Sequence, residues 1–198
     1  MTSNVLKIRR LCLTGLFLSI GWILPLFTGQ IQLIGNMLCP MHIPVYLSGF
    51  ILGPIYGLII GFILPLTRTL IFGMPVLYPS SLCMAFELAM YGFFSGFLYR
   101  ILNKMLSDKK LVSIYVSLLL SMVVGRVVWG IAMYLCNLVI KNAFTWTLFV
   151  GGAFVNAWPG IIIQLILIPV VIRALEKSHM IEKFTSRRDK NEEGFVRD

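Results

Sequence analysis

The sequence predicts an all-α integral membrane protein: a bundle of six transmembrane helices with both termini in the cytoplasm. Three observations carry that prediction. Hydrophobic residues make up 58% of the 198 and charged residues 13%, about half of the roughly 25% usual in a soluble domain. The mean hydropathy of +0.88 is more apolar surface than a water-soluble fold can hide. The apolar residues also run continuously, in stretches close to the roughly 20 residues that cross a bilayer as a helix. Continuous runs exclude an outer-membrane barrel, whose strands alternate. The composition excludes a soluble enzyme and a disordered chain.

The first helix spans about residues 11–28. The basic stretch 4–10 before it imitates a signal peptide, but no small-residue cleavage site follows and the run is long enough to span, so it is read as retained. A loop with Gln30, Gln32, Asn36 and Pro40 follows, and a short second helix starts near Ile43. Gly53-Pro54 marks a tight break, and the third helix covers 55–72. Gly73-Met74-Pro75 through Pro79 reads as a loop, because closely spaced prolines end a helix. The fourth helix covers about 80–102. A charged loop with Lys104, Asp108, Lys109 and Lys110 separates it from the fifth, 111–140, and the sixth covers 147–175. Residues 1–175 are therefore the transmembrane domain, and 176–198 a polar tail of mixed charge, expected to be frayed or partly disordered.

With six spans, the N-terminus, the 103–110 loop and the tail share one side. That side holds 14 of the 17 basic residues; the opposite side holds only Lys141, while Arg68 and Arg126 lie within spans. Positive flanks mark the cytoplasm, so both termini are placed there in the plasma membrane, and loops 29–42, 73–79 and 141–146 outside. The net charge of +9 is thus explained without nucleic acid. The four cysteines, at 12, 39, 83 and 136, form no CxxC pair and have no histidine at metal-ligand spacing. Cys39 and Cys83 both fall toward the outer face, but the cysteines are read as packing residues rather than a disulfide.

Arg68, Glu87 and Arg126 are the informative residues. A charge at mid-bilayer costs about 2.5–3.5 kcal/mol, so three unrelieved charges would cost about 7–10 kcal/mol. By register all three fall in the outer half or near the midplane and can converge on one cavity open to the outside. An ion pair that only locks helices is the other reading. One Arg–Glu pair still leaves a positive charge, which suits a carboxylate or other anionic group, because arginine binds such groups bidentately. Tyr78, Tyr91, Trp129, Asn156 and Trp158 are further candidates from the outer half. Tyr78 can equally be an interfacial residue, whereas Asn156 and Trp158 sit beside Pro159, which frees a backbone carbonyl in a spanning helix. His42 reads first as a helix-end or loop residue, with a ligand role as the alternative.

Small residues four apart recur at Gly15/Ser19, Gly49/Gly53, Gly57/Gly61 and Gly92/Gly96, where two backbones can approach in lipid. Packing within the bundle is one use and docking of another membrane protein the other, with Gly15/Ser19 the best docking candidate. Catalysis finds no support: two histidines give no His-Glu cluster, no GxSxG nucleophile is present, and no GxxxxGK[ST] phosphate loop allows the chain itself to hydrolyse ATP. No internal repeat of the secondary-transporter kind is visible. An autonomous proton-coupled carrier of a small anionic solute using Glu87, and a non-transport assembly factor, remain as alternatives.

The stretch Met41-His42-Ile43-Pro44-Val45, Gly49, Gly53-Pro54, Tyr56-Gly57 has a distinctive continuation in Gly61-Phe62, Pro65-Leu66, Arg68, Phe72-Gly73-Met74-Pro75, Pro79, Ala85-Phe86-Glu87-Leu88-Ala89 and Tyr91-Gly92. Together these resemble the substrate-binding S components of energy-coupling factor (ECF) vitamin transporters. The resemblance implies a six-helix subunit that binds a vitamin or related micronutrient from outside and topples in the membrane to release it inside. It implies partners as well: a transmembrane coupling protein and two ABC-type ATPases, which use the ATP, so that no cofactor belongs to this chain. The family's alanine-rich first-helix motif contacts the coupling protein, and Gly15 and Ser19 stand at the matching positions. Its loops after helices one and three cover the ligand, which makes Met74 and Tyr78 lid candidates; Arg68 and Glu87 lie within the similar stretch. Arg126, Trp129, Asn156 and Trp158 rest on the residues alone. The surplus positive charge favours a carboxylated vitamin, pantothenate first and folate second, with riboflavin, pyridoxine and cobalamin open.

Overall fold

The computed structural model describes residues 3–27, 38–106, 109–140 and 158–178. These form six α-helices: α1 (Ser3–Ile23), α2 (His42–Leu52), α3 (Pro54–Phe72), α4 (Leu82–Met105), α5 (Lys110–Ile140) and α6 (Trp158–Lys177). A 3₁₀ turn, Leu24–Leu26, extends α1, and a wide turn at Leu77–Ser81 leads into α4. No strand occurs among the described residues.

Five of these segments are long and apolar enough to cross a bilayer: Lys7–Leu26, Pro54–Phe72, Leu77–Met105, Lys110–Leu138 and Trp158–Lys177. The exception is α2. Its 11 residues rise about 16 Å, roughly half the hydrocarbon thickness. Against the expected six transmembrane helices with a short second one, the described residues hold five helices long enough to span and the short α2. The expected sixth helix begins earlier, at 147, but residues 141–157 lie outside the described residues, as do the loop 28–37 and the tail from 179.

The punctuation follows from backbone chemistry. Gly53 separates α2 from α3 at φ 104°, ψ 176°, a region only glycine enters without strain, and Pro54 begins α3 where its missing N–H costs nothing. Gly73 ends α3 in the left-handed conformation, φ 70°, with its N–H donating to the Thr69 carbonyl at 2.9 Å. The Met74–Pro75 and Tyr78–Pro79 peptides are both cis. Thr69 Oγ1 lies 2.8 Å from the Pro75 carbonyl and 2.9 Å from Ser81 Oγ, so one hydroxyl at the end of α3 ties down both halves of the 73–81 connection. Pro65 and Pro169 lie inside α3 and α6, and Ser81 Oγ donates to the Pro65 carbonyl at 3.1 Å.

α4 is the centre of the bundle and packs against α2, α3 and α5. The small-residue rows make this possible. A Cβ on Gly49 or Gly57 would run into the Gly92 carbonyl, one on Gly61 into that of Leu88, and one on Gly96 into that of Gly49. Those three rows therefore serve packing within the chain. Around them Val45, Tyr46, Ile60, Leu64, Leu88, Tyr91, Ile114, Leu118, Ile168 and Ile172 form a close-packed core. α1 lies on α2 and α3, held by a hydrogen bond from Trp22 Nε1 to Thr67 Oγ1 (3.1 Å) and by Leu64 seated against Gly21. At the ends of α4 and α6 that lie near the 103–110 loop and the tail, Tyr99 Oη donates to Glu176 Oε1, and Arg173 Nη1 lies 3.6 Å from Glu176 Oε2.

Candidate functional site

A polar cluster sits inside this apolar bundle where α2, α4 and α5 meet. Glu87, on α4, is 2% exposed. Its Oε1 lies 3.0 Å from Arg126 Nη1 on α5 and accepts a 2.7 Å hydrogen bond from Tyr91 Oη, one turn further along α4. His42, the first residue of α2, places Nε2 3.9 Å from the same oxygen, beyond hydrogen-bond reach. The His42 and Tyr46 rings flank Tyr91, with centroids 5.3 and 5.0 Å from it. The Tyr91 ring occupies the space that a side chain at residue 125 would fill, so Gly125 lets Tyr91 lie against α5 beside Arg126.

This arrangement resolves the three buried charges into a pair and a remainder. Arg126 and Glu87 neutralise each other at hydrogen-bonding distance. Arg68, near the end of α3, has no carboxylate within ion-pairing distance among the described residues. Its Nη1 rests 3.7 Å from Met41 Sδ, and its Nε is buried with no hydrogen-bond partner among the described residues. Met41 touches Arg68 while the next residue, His42, faces Glu87, so the turn entering α2 joins the free guanidinium to the paired cluster. Both nitrogens of His42 and the Tyr46 hydroxyl also lack hydrogen-bond partners among the described residues. Unsatisfied buried polar atoms each cost about 1–3 kcal/mol, and four of those found among the described residues gather here, which makes this the candidate site.

The other predicted site residues fall into separate groups. Tyr91 is in the cluster. Trp129 lies on α5 one turn beyond Arg126 and is partly buried. Met74 and Tyr78 are in the connection between α3 and α4, 44% and 40% exposed, and Tyr78 Oη donates to the Cys136 carbonyl at 2.9 Å, fastening that loop to the far end of α5. Trp158 is the first described residue of α6 and is 56% exposed; the expected place of Pro159 inside the sixth helix turns on residues 141–157, which lie outside the described residues. Asn156 lies outside the described residues. Cys83 approaches Cys136, with the two Sγ atoms 3.6 Å apart, rather than keeping company with Cys39. Cys39 is buried beside the cluster, and burial pushes its thiol up to about 11. Gly15 and Ser19 line an open face of α1: a Cβ on Gly15 would meet no atom within 4 Å, and Ser19 Oγ folds back onto the Gly15 carbonyl at 2.9 Å.

Tyr46 is a cluster residue that the sequence did not single out, and His42 is one whose first reading was a helix-end or loop residue. Their signal was available: they are four apart on a short apolar helix, as Glu87 and Tyr91 are on α4, so each pair projects from one face. Among the described residues no group of three or more His, Cys, Asp or Glu is arranged to hold a metal ion.

An all-helical, multi-pass membrane protein with a buried, positively charged polar site fits a subunit that binds a small polar molecule inside the bilayer. The chain matches the family of ECF transporter substrate-specific components over residues 9–172, most of its length, and it belongs to that family. The family consists of substrate-binding transport subunits and is not an enzyme family. Among curated proteins and solved structures, none is similar enough to count as a match.

Proposed function

We propose that this chain is the substrate-capture subunit of an ECF-type importer for a carboxylated vitamin, with pantothenate the first candidate. It takes the vitamin from outside and delivers it inward with a transmembrane coupling protein and two ABC-type ATPases. The single observation that carries the reading is Arg68: a guanidinium in a spanning helix, facing no carboxylate among the described residues, with a buried N–H free to donate. Such a charge is too costly to leave unrelieved in lipid, and a bound carboxylate relieves it through the planar fork. His42 and Tyr46 supply neutral hydrogen-bonding groups for the rest of the molecule. The loop 73–79, anchored through Tyr78, is the cover over the site, and Met74, Trp129 and Trp158 complete its surroundings, with Asn156 kept as a further ligand candidate from the sequence. Both termini are cytoplasmic in this reading, as the distribution of basic residues requires.

The exposed Gly15/Ser19 face supports docking of the coupling protein. The other glycine rows are consumed by packing inside the bundle, whereas this one offers a smooth, unoccupied surface of the kind that lets another helix approach closely. The autonomous proton carrier is less well supported, because Glu87 already holds Arg126 and Tyr91.

A vitamin panel in thermal-shift format tests the substrate reading. Bound ligand raises the melting temperature in proportion to ln(1 + [L]/Kd). Pantothenate or another carboxylated vitamin is expected to stabilise the wild type and not Arg68→Gln. Stabilisation only by uncarboxylated vitamins, or equally in both proteins, overturns the role given to Arg68.

A further inference from the structure

Cys83 and Cys136 take no part in the polar cluster, yet they face each other across α4 and α5. The Cys83 thiol donates to Cys136 Sγ at 3.6 Å, and neither is in a disulfide. Cys83 is in the first turn of α4 and fully buried; Cys136 is near the last turn of α5 and partly exposed. The same residue 136 accepts the Tyr78 hydroxyl on its carbonyl, so the thiol pair stands where the 73–81 connection is fastened to α5. Of the remaining cysteines, Cys12 is exposed on α1 and Cys39 is buried beside Arg126. One pair out of four cysteines is thus poised for two-sulfur chemistry.

We propose that Cys83 and Cys136 form a dithiol modification site that reacts with small-molecule disulfides. The accessible Cys136 thiolate attacks one sulfur of the reagent RSSR, giving a Cys136–S–SR mixed disulfide and releasing one RSH, which carries away the thiol proton. Cys83 then attacks the Cys136 sulfur, forming the Cys83–Cys136 bond and releasing the second RSH. The two cysteines are oxidised by two electrons and the reagent is reduced by two. A disulfide needs sulfurs about 2.05 Å apart, so the pair must close by about 1.5 Å, which side-chain rotation at two helix ends can supply. The bridge would join α4 to α5 covalently beside the anchor of the 73–79 loop.

The test is treatment of the full-length, detergent-purified protein with cystamine, followed by intact mass and peptide mapping. The expected product is the protein less two hydrogens, with one bridged Cys83–Cys136 peptide and a melting temperature raised by roughly 10 °C, the scale for cross-linking a loop of this length; dithiothreitol reverses both. Cys83→Ser is expected to stop at a stable cysteamine adduct on Cys136, and Cys136→Ser to leave Cys83 unmodified. A stable adduct on Cys136 in the wild type, modification confined to Cys12, or no reaction at positions 83 and 136 overturns the proposal. These readouts need no vitamin, so they stand or fall independently of the substrate reading.

Discussion

Removing the charge of Glu87 tests whether the buried pair is what allows Arg126 to sit in the bundle. In Glu87→Gln the Tyr91 hydroxyl keeps an oxygen to donate to, but Arg126 loses the carboxylate 3.0 Å away. The two side chains are 2% and 11% exposed, so water cannot take over. Breaking one side of a buried pair costs about 3–5 kcal/mol. For a chain of this size each kcal/mol moves the melting temperature by about 2–4 °C, giving a fall of roughly 6–20 °C. Arg126→Gln is expected to fall comparably, because it strands the carboxylate. The double variant, with two neutral amides in the same space, is expected to recover much of the loss, leaving a coupling energy of about 2 kcal/mol or more. Intrinsic fluorescence of the four tryptophans follows the melts. Two single variants within about 1 kcal/mol of wild type, or a double variant equal to their sum, would refute the argument.

Gly57→Ala and Gly92→Ala place a methyl against a facing backbone and are expected to cost about 1–3 kcal/mol or more each by overpacking, seen as lower melting temperatures. Gly15→Ala meets open space and is expected to leave stability unchanged or raise it by up to about 1 kcal/mol; Gly15→Leu is expected to fold normally yet fail to co-purify with the coupling protein. Gly73→Ala, at φ 70°, is expected to lose about 1–2 kcal/mol through left-handed strain, read in the same melts. Arg68→Gln is expected to weaken a carboxylated vitamin by roughly tenfold to a hundredfold, the worth of a charged hydrogen bond of about 1.5–3 kcal/mol, while Arg68→Lys retains part of the affinity; calorimetric titration measures both.

The spans were legible because lipid forces long apolar runs, and their ends because Gly53-Pro54 and Gly73 permit so few backbone conformations. Distance along a helix was legible too: Arg126 does lie well inside α5, 16 residues from Lys110, or about 24 Å along the helix axis. What a linear reading lacks is the rotation of each helix about its own axis. Register put Arg68, Glu87 and Arg126 at similar depth without saying which arginine faces the carboxylate, and that choice decides which one is free for a ligand. The same gap separated Cys83 from its actual neighbour, Cys136. It also hid the difference between the glycine rows, since Gly57 and Gly15 look alike until a facing backbone is found at one and open space at the other. His42 reads first as a helix-end or loop residue because a lone histidine at a helix start has many uses, and only the Tyr46–Tyr91–Glu87 arrangement places it in the cluster.

Native mass spectrometry of the protein purified gently in detergent tests the central claim most directly, because a tightly held vitamin survives purification and its mass names it. A carboxylated vitamin is expected on the wild type and absent from Arg68→Gln prepared in the same way. A bound molecule without an anionic group, or the same carboxylated molecule retained by Arg68→Gln, would contradict the assignment of Arg68 as the residue that receives the substrate.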